Sequence, residues 1–126
     1  FVGFTHGARI RESEGFSVAE YGNVVAGNTP TFGEFLKHEG NVIASGDFTI
    51  SQSPLQISVE ATDRILQQAN EAGINNGFPK YAAGLLKQAA DAGLGNEELA
   101  ALIKVLRIAE NSRSGIDVVA VGFTQI

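Results

Sequence analysis

The sequence predicts an all-α domain, a bundle of six helices followed by a short strand-like tail. Three observations carry that expectation. Capping residues and glycines punctuate the chain at helix-length intervals. Apolar residues recur at the helical period through 55–72. The composition of a strand, rich in Val and Ile, belongs to residues 116–126 at the far end.

The first helix should run from Phe1 to Glu14 and stop at Gly15, with Gly3 and Gly7 four apart on one face. That spacing permits close packing against another helix, at a cost of about 1 kcal/mol per glycine relative to alanine. No capping residue precedes Phe1, so the segment reads as the end of a longer helix. Ser17 and Glu20 form a Ser-x-x-Glu capping box that predicts a short helix over 18–26, ending at Gly27. Thr29-Pro30 or Thr31-x-x-Glu34 then opens a third, with Phe32, Phe35, Leu36 and Ile43 on its apolar face and Gly46-Asp47 as its stop.

Residues 48–53 are polar, anchored only by Phe48 and Ile50. Ser53-Pro54 predicts the clearest helix start, a hydroxyl cap followed by a residue whose missing N–H costs nothing there. Leu55, Val59, Thr62, Ile65, Leu66, Ala69 and Ala72 keep the helical period up to Gly73. Asn76-Gly77 turns the chain, Pro79 opens a fifth helix carrying Tyr81, Leu85, Leu86 and Ala89, and Gly93 closes it. Asn96 caps the sixth, with Glu97 and Glu98 in its first turn, Lys104 and Arg107 later, and Leu99, Leu102, Ile103 and Leu106 on its face. Ser112–Gly115 is a linker. The expected division is therefore a helical domain over 1–111 and a tail of unassigned origin over 112–126.

At 126 residues and a formal charge of -5, the chain is one acidic domain of ordinary size. It lacks the basic field through which nucleic-acid domains gain most of their affinity, and no apolar run approaches the roughly 20 residues of a membrane span. With no Cys, a disulfide framework, a thiolate zinc site and a cysteine nucleophile are excluded. Without a secretory apolar segment the expected location is cytoplasmic. There is no Met, even at position 1, so the chain is expected to be a piece of a longer translation product.

The residues offer little chemistry. His6 and His38 have no second ligand at metal spacing, so both are expected to be surface or boundary residues. Glu20, Glu34, Glu97 and Glu98 read as caps and dipole partners. Gly93-Leu94-Gly95-Asn96 follows a helix rather than a strand, so it is a helix–turn–helix junction and not a dinucleotide fingerprint. No catalytic, cofactor-binding or metal-binding residue is assigned.

The order of these pieces carries a resemblance. FTHGARIRESEGFSVAEY, SGDFTISQSPLQISVEATDRILQQANEAGI and FPKYAAGLLKQAADAGLGNEELAALIKVLR together resemble the C-terminal helical domain of the imine reductase and reductive aminase branch of the 6-phosphogluconate dehydrogenase-like, or β-hydroxyacid dehydrogenase-like, reductases, over residues 1–108. The resemblance implies a 6-phosphogluconate dehydrogenase C-terminal-like bundle that begins within the interdomain helix and pairs into an intertwined homodimer. It implies a parent enzyme in which NADPH and the proton donor lie on residues outside this chain. It also implies that Ile57 and Ser58, with Tyr21 as a further candidate, line the partner's substrate pocket. The expected function is thus the dimerisation and substrate-pocket domain of an NAD(P)H-dependent reductase of imines or related carbonyl and hydroxyacid substrates, not catalytic alone. Two readings of other classes stand beside it: a stand-alone helical protein-interaction module and, on the strength of the eight phenylalanines, a carrier of small apolar ligands.

Overall fold

The computed structural model describes residues 1–107, and these are helical with no strand among them. The predicted strand-like tail, and the end of the sixth helix, lie outside the described residues. Four α-helices follow in order: α1 (Val2–Ser13), α2 (Val18–Ser45), α3 (Leu55–Glu71) and α4 (Gly77–Asp91). A 3-10 turn over Leu99–Leu102 then leads into helical residues 103–107. The all-α class is as expected, and so are the glycine stops at Gly15, Gly46, Gly73 and Gly93, which all take φ between 67° and 84°.

One predicted boundary is absent. The helices expected over 18–26 and from about 30 to 46 are a single helix of 28 residues, roughly 42 Å long. Gly27 does not stop it and Pro30 sits inside it. The physical reason lies in the neighbouring polar side chains. Asn28 Nδ2 donates to the carbonyl of Val24 at 2.9 Å, and Thr29 Oγ1 donates to that of Val25 at 3.0 Å. Both bonds run back along the helix, as interior residues do, instead of forward to cap a new one. The Ser17 cap at the true start is as predicted, its hydroxyl accepting from the Glu20 N–H at 3.1 Å.

The core sits at one end of the molecule. Leu55 and Val59 of α3 pack with Leu86 and Ala89 of α4, with Val42 near the end of α2, and with Phe48, Leu94, Ala100 and Ala101 from the connecting segments. α1 is held at the other end. The Tyr21 ring stacks on Phe4 with centroids 5.0 Å apart, and its hydroxyl donates to the Phe4 carbonyl at 3.2 Å. Gly7 makes that approach possible, since a Cβ there would collide with the Tyr21 hydroxyl. Arg11 lies over both Phe16 and Tyr21, 5.6 and 5.9 Å from their ring centres.

Between these anchors α2 is bare. Residues 23–34 are all exposed, around the whole circumference of the helix. Phe32 and Leu36, predicted to face a core, are 58% and 54% exposed, and Tyr81 on α4 is exposed as well. These residues lie on helices as expected, but no described element of this chain covers those faces.

Gly7→Ala should destabilise the chain by about 1–3 kcal/mol, because the added methyl overpacks the Tyr21 contact. Gly3→Ala meets only the Phe78 ring at 3.4 Å and gains about 1 kcal/mol of helix propensity, so it should be neutral or stabilising. Urea denaturation of the two variants checks the contrast.

Candidate functional site

The start of α3 carries two of the three expected pocket residues, Ile57 and Ser58, and it is fixed by a clasp between two segments, 48–56 and 94–101. The predicted Ser53 hydroxyl cap is not used. Instead the orphan N–H groups of Leu55 and Gln56 donate to the carbonyls of Glu97 (2.9 Å) and Gly95 (3.1 Å), so the helix is capped by another part of the chain. Glu98 N–H donates to Phe48 and Leu99 N–H to Ser53, making an isolated antiparallel bridge between Pro54 and Glu98. Gly95 lies close against Gln56, whose exposed side-chain end a Cβ there would displace.

The Glu98 side chain fastens this clasp from inside. It is fully buried, not the solvated dipole partner its place after Asn96 predicts. Asn96 does not start a helix, because residues 94–97 close a turn in which the Glu97 N–H donates to the Leu94 carbonyl at 3.1 Å, Glu98 enters the bridge, and helical residues begin only at Leu99. Glu98 Oε1 accepts from the N–H groups of Ser51 (2.8 Å), Gln52 (2.8 Å) and Ser53 (3.0 Å) and from the Ser51 hydroxyl, while Oε2 accepts from Ser53 N–H at 3.0 Å. Burial opposes its charge, but the three backbone donors win and hold its pKa at about 2.

Glu39, near the end of α2, reaches the same place. It is 8% exposed, and its Oε1 accepts from the Ala100 N–H at 3.1 Å. Burial, then the adjacent Glu98, push its pKa upward. Lys104 closes the outer side of the clasp, bonded to Glu97 and 4.5 Å above the Phe48 ring.

His38 is the half-buried boundary residue expected, with Nε2 2.8 Å from Ser51 Oγ and 3.8 Å from Glu39 Oε2. A serine, a histidine and two carboxylates therefore meet, but not as a hydrolytic relay. The carboxylate approaches the same imidazole nitrogen as the hydroxyl, and the Ser51 proton points to Glu98, a group held ionised but too weak a base to take it. His38, Glu39 and Glu98 each place one ligand atom within 4.8 Å of the others. Glu98, however, already faces backbone donors, which disfavour a cation beside it. The arrangement is a structural fastening that orients the first turn of α3.

Ile57 and Ser58 occupy that turn. Ile57 is 56% exposed and Ser58 half-buried. Tyr21 belongs to the α1–α2 joint, with its hydroxyl committed to Phe4. The sequence reading missed Glu39 and Glu98, and no spacing signal marks them, because 59 positions separate them along the chain. A groove of about 730 Å³ runs along α2, lined in part by Phe32, Phe35, His38, Asn41 and Gln52 and by none of the three expected pocket residues.

Known proteins share this fold. The family model for the NADPH-dependent reductive aminase-like C-terminal domain matches residues 1–108. No curated protein matches in sequence. An imine reductase from Pseudomonas sp. is similar with a TM-score of 0.77 at 20% identity, over 84% of this chain and 37% of that one. A reductive aminase from Aspergillus terreus, in complex with NADPH and ethyl levulinate, gives 0.77 at 25% identity over 82% of this chain and 37% of its own. An imine reductase from Myxococcus stipitatus, in complex with NADP+, gives 0.79 at 18% identity, covering 83% and 39%. The chain spans less than two-fifths of the length of these enzymes.

The stabilisation that Glu98 contributes should be present in full above pH 4.5, the ordinary glutamate value, and be lost as the pH falls from there towards about 2. Thermal unfolding across that window should show the loss, amounting to at most about 3 kcal/mol. Glu98→Ala should cost a similar amount at neutral pH, since it leaves buried N–H groups without acceptors.

Proposed function

This chain belongs to the NADPH-dependent reductive aminase-like C-terminal domain family, and we propose that it forms the dimerisation and substrate-pocket half of an NADPH-dependent reductase of imines or related carbonyl compounds. The bare middle of α2 carries the reading. Residues 23–34 are exposed all round, and the helix contains Pro30 together with Gly22, Gly27, Gly33 and Gly40. In water each glycine costs about 1 kcal/mol and an interior proline about 3. A helix so composed, with Val24, Phe32 and Leu36 exposed, gains its stability from packing. None of its four glycines has another group within 4 Å of a Cβ position, which leaves room for a second helix to approach closely. A second copy of the chain is the proposed cover.

In this reading the parent protein holds NADPH outside the chain. Residues 1–107 offer no strand followed by a glycine-rich turn and helix, the unit that receives a dinucleotide pyrophosphate. The cofactor would supply the hydride, and this domain would supply walls. Ile57 and Ser58, pinned by the clasp at the start of α3, are the proposed contacts to a substrate held against the partner subunit's cofactor. Tyr21 enters the same proposal only through its half-buried ring.

Sedimentation should find a dimer at micromolar concentration. A monomer would count against this reading and favour a stand-alone interaction module. Phe32→Asp should weaken self-association at least about tenfold, since burying each ring contributes about 2 kcal/mol. In the full-length enzyme, Ile57→Ala should shift KM by up to about tenfold while leaving Tm nearly unchanged, because the side chain is largely exposed within its own chain. NADPH titrated into residues 1–126 should not bind, and micromolar affinity would overturn the division of labour.

A further inference from the structure

Glu39 Oε2 is buried and has no hydrogen-bond donor among the described residues, although its residue is more than nine-tenths buried and lies within 4.8 Å of a second buried carboxylate, that of Glu98. An unpaired buried oxygen costs free energy, and two adjacent ionised carboxylates cost more. We propose that Glu39 and Glu98 share one proton, carried on Glu39 Oε2 and donated to the Glu98 carboxylate, which makes the junction between α2 and the clasp a pH-sensitive fastening.

The surroundings decide which carboxyl keeps the proton. Glu98 has three backbone N–H groups and a hydroxyl aimed at it, all of which favour its ionised form. Glu39 has one, from Ala100, on its other oxygen. The proton therefore resides on Glu39 and the charge on Glu98, in agreement with the opposite directions of their pKa values. A protonated Glu39 gives Oε2 a bond to make and removes the repulsion in one step.

One other ionisable group lies close, and its charge would favour the ionised form of Glu39, but burial and the adjacent Glu98 outweigh it. On α2 the neighbour is His38, 3.8 Å from Glu39 Oε2. Residues 48–53 bring the Ser51 hydroxyl and no ionisable side chain. The 94–101 segment brings Glu98 and Glu97, the latter paired with Lys104. A metal ion is the rival occupant, given the three ligand atoms within 4.8 Å. It would need Glu39 and Glu98 both ionised, with Glu98 still facing the N–H groups that already neutralise it, whereas a proton satisfies the orphan oxygen without disturbing them.

The signs follow from linkage. A group whose pKa is raised on folding contributes its stabilisation below the ordinary value of 4.5, and that contribution is lost as the pH rises through the folded value. Carboxyl-carbon NMR of the full chain should therefore show Glu39 titrating above 4.5 and Glu98 below it. Glu39→Gln carries a permanent donor at this position, so its Tm should follow the parent's at acid pH and exceed it above the Glu39 midpoint. Glu39→Ala should have a lower Tm than Glu39→Gln at every pH. A Glu39 midpoint at or below 4.5 would overturn the proposal even if neither variant folds. So would a Glu39→Gln Tm as low as that of Glu39→Ala throughout, or Mn2+ or Zn2+ raising the Tm of the parent but not of Glu39→Gln.

Discussion

A carboxylate buried without an ionic partner among the described residues holds this domain in register. Glu98 brings three consecutive backbone N–H groups, those of Ser51, Gln52 and Ser53, onto one side chain from 45 to 47 positions away. Charge-assisted bonds of that kind are roughly twice as strong as neutral ones, and an unmade one in the interior is expensive. The polar loop before α3 has little apolar bulk of its own to fix it. Its conformation is set by the charge it surrounds, and with it the place where α3 begins.

From that point the packing is ordinary. α3 and α4 lie against each other through Leu55, Val59, Leu86 and Ala89, and the core extends to Phe48 and Val42 on either side. Because α3 is capped by the carbonyls of Glu97 and Gly95 rather than by its own serine, the helix cannot shift without opening the 94–101 segment. Rigid support of this kind suits side chains that must hold their positions, and Ile57 and Ser58, the proposed pocket contacts, stand on that first turn.

The opposite end of the molecule is built by a different rule. α2 leaves the core after Val42 and Glu39 and continues towards α1 with its middle turns uncovered. Glycine, proline and exposed phenylalanine are poor choices for a helix that stays in water. They are good choices for one that another helix approaches closely. That composition suits the proposed pairing with a second copy, in the manner of interfaces that resemble a core cut in two.

The sequence alone determined whatever depends on neighbouring residues. The helical class, the glycine stops at Gly15, Gly46, Gly73 and Gly93, the Ser17 cap and the close approach allowed at Gly7 follow from local backbone geometry and side-chain size. So does the ordered series of motifs that resembles the reductive aminase C-terminal domain. Tertiary structure decided the rest. The 18–26 and 30–46 segments fuse because Asn28 and Thr29 bond backwards, a choice their composition leaves open. Glu98 reads as an exposed first-turn acid until the fold closes residues 51–53 around it. Its partnership with Glu39 joins residues 59 positions apart, and the energetics of a buried charge depend on what surrounds it in space, which periodicity along a chain does not encode.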